Sequence, residues 1–168
     1  MIFKFLKKNF YINLSLILLI FLIDRFSKMY VTYLDNKFTN KEEIFSSKFL
    51  NINLIWNEGI AFGFLSFSEG NLYNFLTTFI TIVILVILVM ILKDNSYKKY
   101  ALLMIFAGAI GNLYDRIFFK AVPDFIDFHI GEFHWFIFNV ADIFITLGVF
   151  FMIVLELISD KEKLNEKI

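Results

Sequence analysis

Four stretches of this 168-residue chain are long and apolar enough to cross a bilayer, and they decide its architecture. A spanning helix needs about 20 mostly apolar residues. Residues 12–33, 72–92, 100–119 and 135–158 meet that requirement. Composition agrees: 59% of the residues are apolar, against roughly 45–50% in soluble domains. No internal repeat is visible. The expected fold is an all-α membrane protein with four transmembrane helices, occupying residues 1–168 as one domain. The first run has a basic start and an apolar core, as a cleaved signal peptide would. No small-x-small site follows it, and Asp24-Arg25-Phe26-Ser27-Lys28 is a poor substitute, so it is read as a retained helix.

Several function classes drop out early. Formal net charge is zero and no basic patch is present, so nucleic acid is not an expected partner. The chain has no cysteine, which excludes disulfides, zinc–thiolate sites and thiol nucleophiles. His129 and His134 do not by themselves show a metal-ligand spacing. Neither a metal nor a cofactor is expected.

The lysines orient the helices. Lys4, Lys7 and Lys8 precede the first run, and Lys93, Lys98 and Lys99 crowd the short link between the second and third. Lys161, Lys163 and Lys167 follow the fourth. On the other side, Lys37, Lys41 and Lys48 are spread along a longer loop. Basic residues concentrate in cytoplasmic loops, so both termini are expected in the cytoplasm.

That orientation puts every charged residue within a span, apart from Glu156 near the end of the fourth, towards the extracytoplasmic face. Asp24, Arg25 and Lys28 lie in the second half of the first run. Asp115 and Arg116 end the third, and Asp142 lies near the start of the fourth. A carboxylate at the centre of a membrane helix costs about 2.5–3.5 kcal/mol, and less near its ends. Charges scattered by drift would have no reason to share one depth.

The outer loops are not plain linkers. Residues 49–56 alternate apolar and polar for much of their length, which predicts a strand. Residues 125–135 predict strand, turn at Gly131, and strand. The expectation is a small extracytoplasmic β-sheet at the membrane surface. An amphipathic loop bearing Phe62, Phe64, Leu65 and Phe67 would sit in the headgroup region. The same aromatics would also serve as an ordinary interfacial belt.

Chemistry concentrates on a few side chains. Gly108, Gly111, Asn112 and Asp115 share one helix face, where the glycines permit close approach of a neighbouring helix or a ligand. Asn139, Asp142 and Thr146 share another, so Asn139 can steady the Asp142 carboxylate. Asp24 and Lys28 stand in the favourable i, i+4 order for an ion pair. Arg116 offers a planar donor fork for a carboxylate or a carbonyl. Asp124 follows Pro123 in a loop-to-strand stretch, where a carboxylate is normally just solvated. Beside Asp142 it means more. Two neighbouring carboxylates resist ionising together, so one keeps a proton. The ionised one can then take a proton from water while the other polarises a carbonyl, as in aspartic proteases.

Five ordered blocks carry a resemblance. They are Asp24-Arg25-Phe26-Ser27-Lys28, Asn57-Glu58-Gly59-Ile60-Ala61-Phe62, Gly108-Ala109-Ile110-Gly111-Asn112-Leu113-Tyr114-Asp115-Arg116, Val122-Pro123-Asp124-Phe125 and Phe138-Asn139-Val140-Ala141-Asp142. Together they resemble the lipoprotein signal peptidase (signal peptidase II) family, in its order and over essentially the whole chain. The resemblance implies an aspartic endopeptidase of the bacterial cytoplasmic (inner) membrane, active at the extracytoplasmic face; a monomer is expected. Its substrates would be prolipoproteins carrying diacylglycerol on a cysteine, cut just before that cysteine among the membrane lipids. The family's catalytic pair falls on Asp124 and Asp142. Asn57, Gly59, Asn112, Arg116 and Asn139 match positions that support the pair or meet substrate. Asp24, Lys28, Gly108 and Asp115 match motif positions read as structural. Two departures stand out: Pro123, where Val or Ile is usual, and Glu58, where a small or neutral polar residue is usual.

Two other readings compete. An ion-coupled carrier also uses intramembrane acids, but it would place them near the midplane between broken helices or repeats. A membrane scaffold would use Asp–Arg pairs, Asp115 with Arg116 above all, to lock its helices. A presenilin-type protease is disfavoured because no Gly-x-Gly-Asp block is present.

Overall fold

Each of the four apolar runs forms a helix, and the alternating segments between them form strands. The structure is a computed structural model that describes residues 2–37, 44–59, 70–94 and 96–165. In chain order the elements are α1 (Ile2–Lys37), β1 (Phe45–Ser46), β2 (Leu50–Asn57), α2 (Gly70–Lys93), α3 (Lys98–Phe119), β3 (Val122–Ile130), β4 (Phe133–Phe138) and α4 (Val140–Asn165). The proposed amphipathic loop with Phe62, Phe64, Leu65 and Phe67 lies outside the described residues.

Four helical segments are long and apolar enough to span a membrane: Phe10–Lys37, Tyr73–Lys93, Lys98–Phe119 and Val140–Ser159. One boundary differs materially from expectation. Residues 135–138 extend β4 rather than opening the fourth helix, which starts at Val140. The run Trp135-Phe136-Ile137-Phe138 is uniformly apolar, so its composition does not separate strand from helix. Pairing with β3 makes the choice, with Ile126 opposite Phe138 and Asp127 opposite Ile137.

Helix α3 is the centre of the bundle. Half of its spanning window is buried, against about a tenth for α1 and α4. Leu102, Leu103 and Phe106 of α3 form a buried cluster with Ile84 and Ile91 of α2. Small residues let α4 approach α3 closely. A Cβ on Gly108 would stand 2.5 Å from the Ala141 carbonyl oxygen, and one on Gly148 would stand 2.8 Å from that of Ala101. The outer faces of α1, α2 and α4 carry exposed Leu18, Leu19, Phe75, Phe79, Leu85 and Phe150, as expected of surface that meets lipid rather than water.

The four strands form one antiparallel sheet in the order β1-β2-β3-β4. Lys120 takes the left-handed conformation at the end of α3 (φ 62°), which turns the chain directly into β3. Pro123 is accommodated there because, among the described residues, its one strand partner is Trp56 of β2; pairing to β4 begins at Ile126. A residue without an N–H fits where one side of a strand has no ladder. Gly131 turns β3 into β4 at φ 59°. The sheet therefore packs Asp124 beside the start of α4.

Candidate active site

Three asparagine amides bring Asp124 and Asp142 together. Asn139 lies between β4 and α4, and its Nδ2 donates to Asp124 Oδ1 at 2.6 Å. The backbone N–H of Asn139 donates to Asp142 Oδ2 at 3.1 Å. One residue thus holds both carboxylates. Asn57, the last residue of β2, donates to the other oxygen of Asp124 at 2.8 Å. Asn112 of α3 donates to the other oxygen of Asp142 at 2.8 Å.

Each amide is oriented by a donor on its own carbonyl oxygen. Asn57 Oδ1 accepts from the Gly59 N–H at 2.9 Å. Asn112 Oδ1 accepts from Lys28 Nζ at 2.8 Å. Asn139 Oδ1 accepts from the Asp142 N–H at 3.2 Å. An amide whose oxygen is occupied must present its NH2 to the carboxylate, because oxygen and nitrogen cannot exchange places without losing both bonds. Asn139 and Asp142 also form a reciprocal cap, each side chain bonded to the other's backbone N–H at the first turn of α4. The sequence placed Asn139 as support for Asp142; its side-chain amide instead reaches Asp124, and its backbone serves Asp142.

The pair borders a cavity of about 310 Å³ whose walls include Asn112, Arg116, Ile145 and Thr146. Asp124 is 4% exposed. Burial, opposed by the Asn57 hydrogen bond and reinforced by the nearby charge of Asp142, pushes its carboxyl up to about 6. No lysine or arginine makes an ion pair with either carboxylate among the described residues. A second hollow of about 340 Å³ meets the first at Asp142 and Thr146 and is otherwise walled by apolar side chains such as Trp135, Phe138 and Leu147.

Behind Asn112 lies a separate ionic cluster. Lys28 Nζ spends its three donors on Asp24 at 3.0 Å, Asp115 at 2.8 Å and Asn112 at 2.8 Å. Arg25 grips Asp115 with both terminal nitrogens and reaches Asp24 at 2.8 Å. Asp24 also accepts from the Ala141 N–H at 3.0 Å, which ties α1 to the first turn of α4. A Cβ on Gly111 would come within 2.7 Å of Asp24, so this packing requires glycine.

The structure gathers Asn57, Gly59, Asn112, Arg116, Asn139, Asp124 and Asp142 into one site, with Asp24, Lys28, Gly108 and Asp115 packed behind it. Asp115 does not pair with Arg116 as a locking pair would require. Successive residues of a helix point in different directions. Arg116 instead donates to the Gly59 carbonyl at 2.9 Å and that of Asn112 at 3.3 Å. Sequence reasoning missed two roles. Arg25 is the clamp on Asp115, and only its position within a span marked it. Lys28 sets the orientation of Asn112, which becomes visible only when α1 lies against α3.

A four-span bundle with two amide-held carboxylates at its sheet end, Asp124 buried and Asp142 partly so, is a membrane protein equipped for aspartic hydrolysis. Comparison with known proteins sharpens that class. The signal peptidase II family profile matches residues 16–158. The lipoprotein signal peptidase of Pelagibacter ubique is 49% identical over 160 residues, covering 95% of this chain and 96% of that protein. Its counterpart from Aquifex aeolicus is 37% identical over 90% of this chain and 89% of that one. A solved bacterial membrane enzyme superposes with a TM-score of 0.68 at 30% identity, covering 90% of each chain. The chain belongs to the signal peptidase II family of aspartic proteases.

Proposed function

We propose that this protein removes the signal peptide from diacylglyceryl-modified prolipoproteins, with Asp124 and Asp142 as the catalytic pair. The observation that carries the proposal is Asn139, which bonds one oxygen of each carboxylate and so holds both at one cavity. With one proton between them, the ionised carboxylate takes a proton from water as its oxygen attacks the scissile carbonyl carbon. The protonated carboxyl gives a hydrogen bond, then its proton, to the carbonyl oxygen. In the tetrahedral intermediate the C–N bond breaks as one carboxyl protonates the leaving amine, while the other carboxylate takes a hydroxyl proton as the carbonyl re-forms, which restores the single proton to the pair. Which aspartate starts with the proton is a property of the coupled pair.

The apolar hollow beside Asp142 supports a lipid-modified substrate. An acyl chain there and a peptide in the cavity bordered by the asparagines would meet at the same carboxylate. The lysine distribution supports cytoplasmic termini and an extracytoplasmic site. We propose that it acts as a monomer. A carrier finds no comparable support, because the acids gather at the sheet end of the bundle rather than between broken helices.

The test is a cleavage assay on the purified enzyme with matched lipidated and unlipidated prolipoprotein. The wild type is expected to cut the lipidated form, and Asp124→Asn and Asp142→Asn are expected to leave it intact while remaining folded. Normal processing by either variant would overturn the catalytic pair. Equal cutting of both substrate forms would overturn the lipid requirement.

A further inference from the structure

We infer that Asp127, His129 and His134 form a binding site for a divalent transition cation of the zinc class, on the β3–β4 hairpin. The spacing in sequence does not suggest it; strand pairing assembles it. Asp127 and His129 are two residues apart in β3 and share one face of the strand, the face opposite Asp124. His134 of β4 stands directly across from His129. The register slips beside this pair: two steps along β3, from Asp127 to His129, match three along β4, from Ile137 to His134. Such an irregularity re-aims nearby side chains. Here His134 Nδ1 lies 2.9 Å from an Asp127 carboxylate oxygen, and the two imidazoles stack with centroids 4.9 Å apart.

Three observations point to a cation rather than to a plain His–Asp contact. One ligand atom from each residue lies within 4.8 Å of the others. Two atoms bound to one zinc at about 2.1 Å each stand at most about 4.2 Å apart, so small ring rotations close the site. His129 Nδ1 is shielded from solvent yet has no hydrogen-bond partner among the described residues. A buried polar atom left unpaired is costly, and a metal bond to the ring would redeploy that imidazole. The donors are two imidazoles and one carboxylate, a set that suits zinc, nickel, copper or iron and not magnesium or calcium. Asp127 is 4% exposed while the His134 side chain is 51% exposed, so the site has a rigid floor and an open mouth. A bound cation would pin β3 to β4, the hairpin that holds Asp124 on its other face and runs into Asn139. The proposal does not depend on the role of Asp124.

The chain has only two histidines, which makes a direct test clean. Untagged full-length protein in detergent, stripped with chelator, is treated with diethyl pyrocarbonate with and without zinc, and modification is located by mass spectrometry. Zinc is expected to slow modification of both histidines by roughly tenfold or more, and Asp127→Asn to weaken zinc binding by roughly tenfold or more. Magnesium is expected to do neither. Zinc is also expected to raise the thermal midpoint of the wild type but not of the His129→Gln/His134→Gln double variant. Equal modification rates with zinc in large excess would overturn the proposal, and that measurement needs no variant to fold. Protection of His134 alone would also overturn it, as would zinc binding unchanged in the double variant.

Discussion

Two pairs of carboxylates sit side by side at one end of this bundle, and the fold treats them in opposite ways. Asp24 and Asp115 are fully buried and saturated by Lys28 and Arg25. Asp124 and Asp142 receive hydrogen bonds from three asparagines and from backbone, with no cation paired to either among the described residues. A cation in contact compensates a buried carboxylate's charge and ties its own helix to it. A neutral amide orients a carboxylate without fixing its charge. The first pair is therefore equipped to hold helices together, and the second to exchange a proton. Asn112 is the joint between them, accepting from Lys28 and donating to Asp142.

The contrast can be broken by exchanging what each pair lacks. The largest effect is expected at Asp142→Asn: a loss of roughly 10²–10⁴ in kcat with little change in thermal midpoint, the scale of acid–base catalysis. A variant that unfolds instead would place Asp142 with the structural pair. Next comes Asp115→Asn, which strips a carboxylate from two cations. Breaking a buried ion pair from one side costs about 3–5 kcal/mol, so a large fall in the detergent melting temperature is expected. Activity lost without that fall would argue that the cluster acts on chemistry directly.

Smaller effects sharpen the comparison through pH. The Asp124 carboxyl lies near 6 in the folded protein, above its ordinary 3.8. Its contribution to stability is therefore full below about 3.8 and is lost as pH rises through about 6. Asp124→Asn escapes that loss and is expected to be the more stable protein above pH 6, by roughly 1–3 kcal/mol, with no advantage in acid. Melting curves at several pH values read this out, and an advantage that does not vary with pH would contradict it. The same titration should appear as an alkaline limb in kcat/KM near pH 6, where the single proton leaves the pair. Asn57→Leu removes a hydrogen bond that favours the ionised form, so the limb is expected to move up by about one pH unit. A downward move would mean that Asn57 serves the protonated carboxyl.

Much of this arrangement was legible in the residues, for physical reasons that differ from place to place. Spans of apolar residues announce themselves because lipid demands continuous hydrophobicity, and the strand around residues 50–57 announces itself by alternation. A carboxylate such as Asp142 is conspicuous because its surroundings make it expensive. Trp135-Phe136-Ile137-Phe138 was read as helix because an apolar run has no period to betray a strand. Pairings across the fold are the harder part. That Asp115 turns to Arg25 rather than to its neighbour Arg116 depends on how α1 lies against α3. That Asn139 reaches Asp124 depends on how β4 pairs with β3. His129 and His134 carried no spacing signal, since only a hairpin sets them face to face.

Asn139 also has a consequence for biogenesis. It sits at the junction where the sheet ends and the last span begins, so neither carboxylate is correctly seated until that span has docked. Asp142 and Asn139 are the last of the site residues to leave the ribosome. On the proposed reading, a chain caught midway through insertion carries Asp124 and Asn57 but no working pair. Completing its own topology is then what assembles the pair.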